Sequence, residues 1–428
     1  METVAILGGS VSQLPAIRYA RASGLRVVVV DGDAQALGFG EADISEVVDF
    51  SDVDALVDLA RRQAVDGIAA VCSDRAVPAA AAAAERLGLP GIGAAVASKM
   101  TDKALMRTEL ARHGIAQPPF AVVRTLDEAL HALGELGAPA VLKPVDSGGQ
   151  RGVFRVEHAR ELTDLLPQTL DCSRTGSAML ERFLEGDELN VIAVVRAGDV
   201  EILTLSDRLR PPGVGFGVGW IHRFPSSLPP DQLADTAAVA ASAVQALGLR
   251  DGIAFPQVLV SEGRAQVVEV AARLPAGQMA DLVYHAIGVD LIEIALRQAL
   301  GRPIGDEVVQ VRKTRPVAIR FFTAEPGVLP TGRLVAVDGL DDVRDAPDVL
   351  DADLYLRLGE TIRPVQVDAD RRGYVIATGI DADAALAAAT EAMRRLDVRT
   401  DAAERPDLEA LPGASRELPS TNAASWNA

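Results

Sequence analysis

Lysine is scarce in this chain, so the places that keep one are informative. Of 42 basic side chains only four are lysine: Lys99, Lys103, Lys143 and Lys313. Lys143 ends the apolar run Ala140-Val141-Leu142-Lys143-Pro144, and Ser147-Gly148-Gly149-Gln150-Arg151-Gly152 follows at once. Lys103 lies earlier, in a polar segment that opens a helix. An ammonium is a compact point charge that can settle among phosphate oxygens, whereas a guanidinium is a planar fork suited to bidentate partners. The glycines of 147–152 would let backbone N–H groups come close to phosphate oxygens. The loop lies between two strand-like runs and lacks the G-K-[ST] ending, so it is not a Walker loop. A hairpin turn with glycines is its other reading.

Two further segments could complete a nucleotide site. Met179 to Val191 reads as a strand, an acidic turn at Glu185-Gly186-Asp187-Glu188, and a second strand. An exposed strand end can offer a purine a backbone donor and acceptor, and Glu188 is placed to accept from ribose hydroxyls; a solvated acidic turn is the alternative. The second segment is a hairpin, 252–260 with 265–271, turning at Ser261-Glu262-Gly263-Arg264. An odd-length loop centred on Gly263 predicts Gln257 directly opposite Glu269, with Cβ atoms about 4.5–5.5 Å apart. An amide oxygen and a carboxylate would then converge. Magnesium takes such oxygens and completes its shell with water and phosphate. Glu269 stands in the apolar run Val267-Val268-Glu269-Val270, where an unanswered carboxylate is costly. A metal would answer it, and so would a simple ion pair with Arg273.

The rest of the chain must position these groups. Its 428 residues leave room for several domains and a large core. A net charge of −18 argues against nucleic acid and against anionic membrane surfaces. Cys72 and Cys172 form no disulfide framework and no zinc pattern. With no basic leader and no run of eighteen apolar residues, a soluble cytoplasmic protein is expected. The first ninety residues alternate strands (4–7, 27–31, 46–50, 67–71) with helices (14–23, 52–63, 77–87), which predicts a parallel sheet covered on both faces. Gly8-Gly9-Ser10 after the first strand lacks the G-x-G-x-x-G spacing. A tight turn, an anion site at the helix start and a dinucleotide site are its three readings, in that order. Ser73-Asp74-Arg75 ends the fourth strand, at the edge where open sheets bind ligands. A breaker-rich join at 114–119 and the turn near 184 divide the chain into expected regions 1–112, 113–183 and 184–400. Within the last lie an Ala-rich helix at 235–247, a glycine-rich stretch at 213–219 and a final strand and helix at 374–396. A frayed tail follows from 401 to 428.

In order and spacing these pieces resemble the ATP-grasp superfamily over about residues 1–400, and most closely its carbamoyl-phosphate synthetase-like and L-amino acid ligase-like branches. The resemblance implies an α/β chain: an N-terminal parallel-sheet, Rossmann-like pre-ATP-grasp domain, a small α/β lid, and a larger α+β C-terminal catalytic domain with a terminal β-α extension. It implies that Lys103 and Lys143 contact the phosphates of ATP and that Ser147, Gly148 and Gly149 belong to a mobile loop over them. Glu181, Phe183 and Leu184 would line the adenine slot and Glu188 would hold the ribose. Gln257 and Glu269 would hold Mg2+, and Arg273 would face the transferred phosphate. Trp220-Ile221-His222-Arg223-Phe224-Pro225 resembles the amino-acid ligase branch, in which a histidine lies near the acyl group; His222 can equally be a core or surface histidine. Two departures stand out. The first metal position is Gln257 where glutamate is commoner, as in the carbamoyl-phosphate synthetase branch. Glu269-Val270-Ala271-Ala272-Arg273 replaces E-x-N-P-R, so Ala271 takes away one metal-binding oxygen and brings the chain nearer the amino-acid ligases. The implied activity is ADP-forming carboxylate–amine ligation through an acyl-phosphate, on an amino acid. Its alternatives are a carboxylase that activates bicarbonate as carboxyphosphate and a non-catalytic ATP-binding protein. The expected partners are small carboxylates and amines, with no nucleic acid or membrane, in a homodimer.

Overall fold

The structure, a computed structural model, describes residues 1–210 and 217–402. Most of the glycine-rich stretch at 213–219 and nearly all of the expected tail at 401–428 therefore lie outside the described residues. The chain divides into two compact units, Met1–Asp207 with Ser226–Thr314, and Arg208–Pro225 with Arg315–Ala428. No helix among the described residues is long and apolar enough to cross a membrane.

The first unit begins with the expected parallel sheet. Its strands Ile44–Val47, Arg26–Asp31, Thr3–Leu7 and Gly67–Ala70 lie side by side in that order. The central strands are continuous apolar runs because both faces are covered. The alanine-rich helix Ala76–Leu87 is buried along most of its run, with Ala76, Ala79, Ala80 and Ala83 in the core of the sheet and Ala81 against Ala97 of the next helix. At the edge, Val71 makes a parallel bridge to Leu274, and the Cys72 amide donates to Leu274 O at 3.0 Å. This contact brings Asp74 and Arg273 together.

The turn after the first strand is closed on itself. Asp31 Oδ2 accepts from the Gly9 amide at 2.7 Å, and Gln13 Oε1 accepts from the Ser10 amide at 3.1 Å. Two of the turn's amides are thus taken by the chain's own side-chain oxygens. That supports the tight turn over an anion or dinucleotide site.

A second, antiparallel sheet follows, in the order Phe120–Val123, Ala178–Arg182, Ala140–Pro144, Phe154–Val156. Alternation sorts its residues. Ala140, Leu142, Ala178 and Leu180 face a core formed with helices Leu126–Leu136 and Leu162–Asp171. Val141, Lys143, Met179 and Glu181 take the opposite face, where Lys143 pairs with Met179 and Glu181 with Val141. Lys143 and Glu181 are therefore diagonal neighbours.

The third sheet of this unit runs Arg264–Ala271, Gly252–Ser261, Asp187–Arg196, Asp199–Leu209. The helix Pro230–Leu247 covers one face. It starts five residues before the expected 235 because Pro230 suits a first helical position, where no amide is needed. In the second unit, Ile221–Phe224, Val317–Phe321, Gly373–Thr378 and Val349–Leu354 pair antiparallel in that order. The helix Ala382–Met393 follows the third of these, as expected for the final strand and helix.

Strand Gly67–Ala70 lies tight against helix Leu291–Ala299. A Cβ on Gly67 would sit 2.3 Å from Ala299 O, whereas one on Gly40 would meet nothing within 4 Å. Gly67→Ala should lose about 1–3 kcal/mol, in the range of overpacked cores. Gly40→Ala should melt close to the wild type, and parallel thermal denaturation of both proteins checks the pair.

Candidate functional site

Helix Lys103–Arg112 begins the site. Asp102 caps it, accepting from Ala104 N at 2.8 Å and Leu105 N at 3.0 Å. Lys103 is then the first helical residue, where a cation opposes the helix dipole. Its position is answered from outside the helix. Lys103 Nζ lies 3.1 Å from Glu269 Oε1 and donates to Ser147 O at 2.9 Å. Its amide donates to Val145 O at 2.7 Å, so the base of the glycine loop is held at two points. Burial works against the Lys103 charge, but Glu269 and Asp74 together lift its pKa above the ordinary lysine value.

One helical turn on, and therefore on the same face, is Arg107, which is wholly buried. One arm donates to Val267 O at 2.7 Å and Val268 O at 3.1 Å. The other donates to Glu181 Oε2 at 2.6 Å and Pro118 O at 3.2 Å. The second oxygen of Glu181 accepts from Lys143 Nζ at 2.6 Å. Glu181 is thus gripped between two cations. Burial would raise its pKa, but Lys143 and Arg107 hold it below the usual glutamate value. Burial pulls Lys143 downward, against Glu181.

The hairpin places Gln257 opposite Glu269 as expected, but by another route. Ser261 pairs with Arg264, so the turn has two residues, Glu262 and Gly263, both at positive φ (51° and 73°). That register alone would oppose Gln257 with Val268 and leave Glu269 on the core face beside Val267. A bulge at Val268 shifts the pairing by one and turns Glu269 to the face of Gln257. Ser206, Asn190, Gln257 and Glu269 then form one cross-strand row. An amide and a carboxylate give an all-oxygen donor set, which suits Mg2+. Among the described residues no group of three or more His, Cys, Asp or Glu could hold a metal unaided. Water and phosphate would have to complete such a shell.

Arg273 meets Asp74 in a bidentate pair, Nε to Oδ1 at 2.6 Å and Nη2 to Oδ2 at 2.8 Å. Burial opposes both charges, yet each partner stabilises the other: Asp74 is held below its ordinary value and Arg273 above its own. The alternative partner for Glu269 is thus corrected, since its ion pair is with Lys103. Gly148 lies against the same carboxylate, and a Cβ there would be 2.9 Å from Asp74 Oδ2. Gly149, Gln150 and Gly152 of the loop have φ of 70°, 63° and 68°, conformations that favour glycine.

Three family models match consecutive stretches of the chain. They are the ATP-grasp N-terminal domain at residues 17–91, the carbamoyl-phosphate synthase L chain ATP-binding domain at 102–307, and the L-amino acid ligase C-terminal domain 2 at 320–401. This chain belongs to the ATP-grasp superfamily. The uncharacterised protein y4rH of Sinorhizobium fredii is 31% identical over 293 residues, 68% of this chain and 59% of that protein. The alanine–anticapsin ligase of Bacillus subtilis is 27% identical over 57% of this chain and 56% of its own length. The chain thus spans little more than half of either relative. The crystal structure of an L-amino acid ligase from Bacillus licheniformis superposes with a TM-score of 0.80, covering 94% of this chain and 99% of that one at 22% identity. It shares the ATP-grasp fold.

Seen in this ATP-grasp chain, the expected site residues fall into three groups. Lys103, Lys143, Ser147, Gly148, Glu181, Glu269 and Arg273 are linked by the contacts above, with Gln257 joined by register. Phe183, Leu184 and Glu188 continue the chain beyond Glu181. Phe183 donates its amide to Pro139 O at 3.1 Å, Arg155 stacks on its ring at 4.2 Å, and Glu188 pairs with Leu259 in the sheet. His222 belongs to the second unit. It is buried, edge-on to Phe321, and held well below its ordinary pKa by burial and by Arg208 and Arg371. Arg107 was not among the expected site residues, and Asp74 was expected only as part of the ligand-binding edge of the first sheet, without Arg273 as its partner.

Removing the carboxylate of Glu181 would leave two buried cations without their shared partner. Glu181→Gln should cost about 3–5 kcal/mol near neutral pH. Because the folded pKa lies below the unfolded one, the wild-type contribution is complete above the unfolded carboxylate range and is lost as pH falls through the folded value. The gap between the two proteins should therefore narrow below about pH 4. Urea unfolding at a series of pH values tests this.

Proposed function

We propose that this chain is an ATP-dependent carboxylate–amine ligase that forms an amide bond through an acyl-phosphate, with an amino acid as substrate and ADP and phosphate as products. One observation carries the reading. In the network of ion pairs beside the glycine loop, four cations, Lys103, Arg107, Lys143 and Arg273, share three carboxylates, Asp74, Glu181 and Glu269. In a chain of net charge −18, this local positive excess suits a polyanion such as ATP. The likeness to L-amino acid ligases points to the same chemistry.

In this reaction the substrate carboxylate attacks the γ-phosphate of ATP, giving acyl-phosphate and ADP. The amine then attacks the acyl carbon, loses a proton, and phosphate leaves. Phosphoryl transfer asks a protein mainly for position and charge. Lys103 and Lys143 would meet the phosphates, Ser147, Gly148 and Gly149 would cover them with backbone amides, and Arg273 would meet the phosphoryl group in flight. Phe183 and Leu184 would flank the base beside the backbone of Glu181, and Glu188 would take the ribose. Gln257 and Glu269 would hold Mg2+, which supplies charge neutralisation at the phosphates when bound. The sheet that carries the glycine loop is the part suited to close and exclude water, which would hydrolyse an acyl-phosphate. His222, held neutral, would offer the acyl group a hydrogen bond and no charge.

Calorimetry should show binding of ATP with Mg2+ and none of NADH. Screening amino acid pairs and small acids should reveal ADP and phosphate release that needs both an acid and an amine. Release that depends on bicarbonate alone would replace this reading with a carboxylase. ATP binding with no release on any acid and amine supplied would leave a nucleotide-binding protein.

Two substitutions separate ligands from bystanders. Lys143→Arg should lower turnover on the order of 10²-fold or more, as when one charge-stabilising group is lost. Lys313→Arg, an exposed lysine stacked on Tyr284 at 5.1 Å, should leave it unchanged. Glu269→Gln should abolish turnover with the fold retained. Equal, near-native ADP release from both lysine variants, or an active Glu269→Gln, would overturn the assignments.

A further inference from the structure

We propose that Arg107 is the positioning residue that sets the metal pair and the phosphate lysine together; the proposal rests on the ATP and magnesium reading above. Three observations lead to it. First, with this turn and this strand length, the bulge at Val268 is what brings Glu269 to the face of Gln257. The two carbonyls that flank this bulge, Val267 O and Val268 O, both accept from one nitrogen of Arg107. Val267 faces the open edge of the sheet, where its amide donates to Ala116 O, and the bulge turns the Val268 carbonyl to the same side. Buried carbonyls need donors, and a single arm of the guanidinium supplies both. Secondly, the other arm holds Glu181, which fixes the Lys143 ammonium 2.6 Å away. Thirdly, Lys103, one turn earlier on the same helix, is the direct partner of Glu269. The Arg107 guanidinium thus stands behind both carboxylates and touches neither Gln257 nor Glu269. It acts through the bulge on one side and through Glu181 on the other.

A fork is required for this task. A lysine at 107 would keep a cation for Glu181 but would lack the second, rigidly opposed arm for the bulge. Arg107→Lys therefore separates charge from geometry. A structural arginine would show its loss in stability alone. A positioning arginine would show it in the metal.

The test is Mn2+ binding to the ADP-loaded protein, followed by electron paramagnetic resonance without turnover, for wild type, Arg107→Lys and Arg107→Met. Melting curves and Mg2+ titrations of ADP release accompany it. Groups that hold metal ligands in place are worth roughly 10–100-fold in metal affinity, so Arg107→Lys should weaken Mn2+ by that factor and raise the Mg2+ demand in parallel while melting cooperatively. Arg107→Met should weaken it at least as much; if it does not fold, the lysine variant carries the test. Native Mn2+ affinity in a folded Arg107→Lys would overturn the proposal. Failure of Arg107→Lys to fold would overturn it too, in favour of a purely structural arginine. Wild-type protein that binds neither ADP nor Mn2+ would place the error in the ligase reading itself.

Discussion

A carboxylate removed from water must be met by positive charge, and much of this molecule is arranged around that demand at Glu181. Its two oxygens face Lys143 and Arg107 at 2.6 Å each. Without it two buried cations would lose their shared counter-charge, which is costly. The strand that ends in Lys143 and the helix that begins with Lys103 come from different parts of the chain. The shared carboxylate is what makes their meeting favourable. Lys103 with Glu269 and Arg273 with Asp74 repeat the principle. Each cation that would serve a phosphate already has a carboxylate beside it, which keeps it ionised and in place.

Asp74 gives this arrangement a long reach in sequence. It follows the fourth strand of the first sheet, yet its carboxylate grips Arg273, 199 residues away, and touches the space of Gly148. The parallel bridge between Val71 and Leu274 makes the approach reproducible. A loop at the carboxyl edge of an open sheet is where such folds meet ligands. Here that loop meets the arginine and the glycine loop of the candidate site.

Much of this was legible in the sequence. The apolar runs of the first sheet, the Lys-Pro strand end and the glycine loop read directly, because each is local and made of residues with narrow conformational or chemical uses. The opposition of Gln257 and Glu269 was also legible, although the reason differed: an odd loop was expected, and a two-residue turn with a bulge is found. A bulge leaves no mark in side-chain type, so it is invisible to pattern. Arg107 was hidden for a different reason. Among 42 basic side chains all but four are arginine, so one more carries no signal. Its role is fixed by carbonyls 160 and 161 residues distant. The i, i+4 spacing from Lys103, on a helix with a weakly apolar face, was the one available hint.

The bulge at Val268 has a consequence for how this hairpin could vary. Plain alternation in a strand one residue shorter would also bring Glu269 opposite Gln257, so the extra residue is not needed to oppose the two side chains. What it adds is a pair of adjacent carbonyls turned the same way, toward a single buried guanidinium. Strand length and the identity of residue 107 are therefore one character rather than two. A shortened hairpin would take acceptors from one arm of the buried arginine, and a lost arginine would strand the carbonyls. Neither change is neutral alone, and a chain that makes one has reason to make the other.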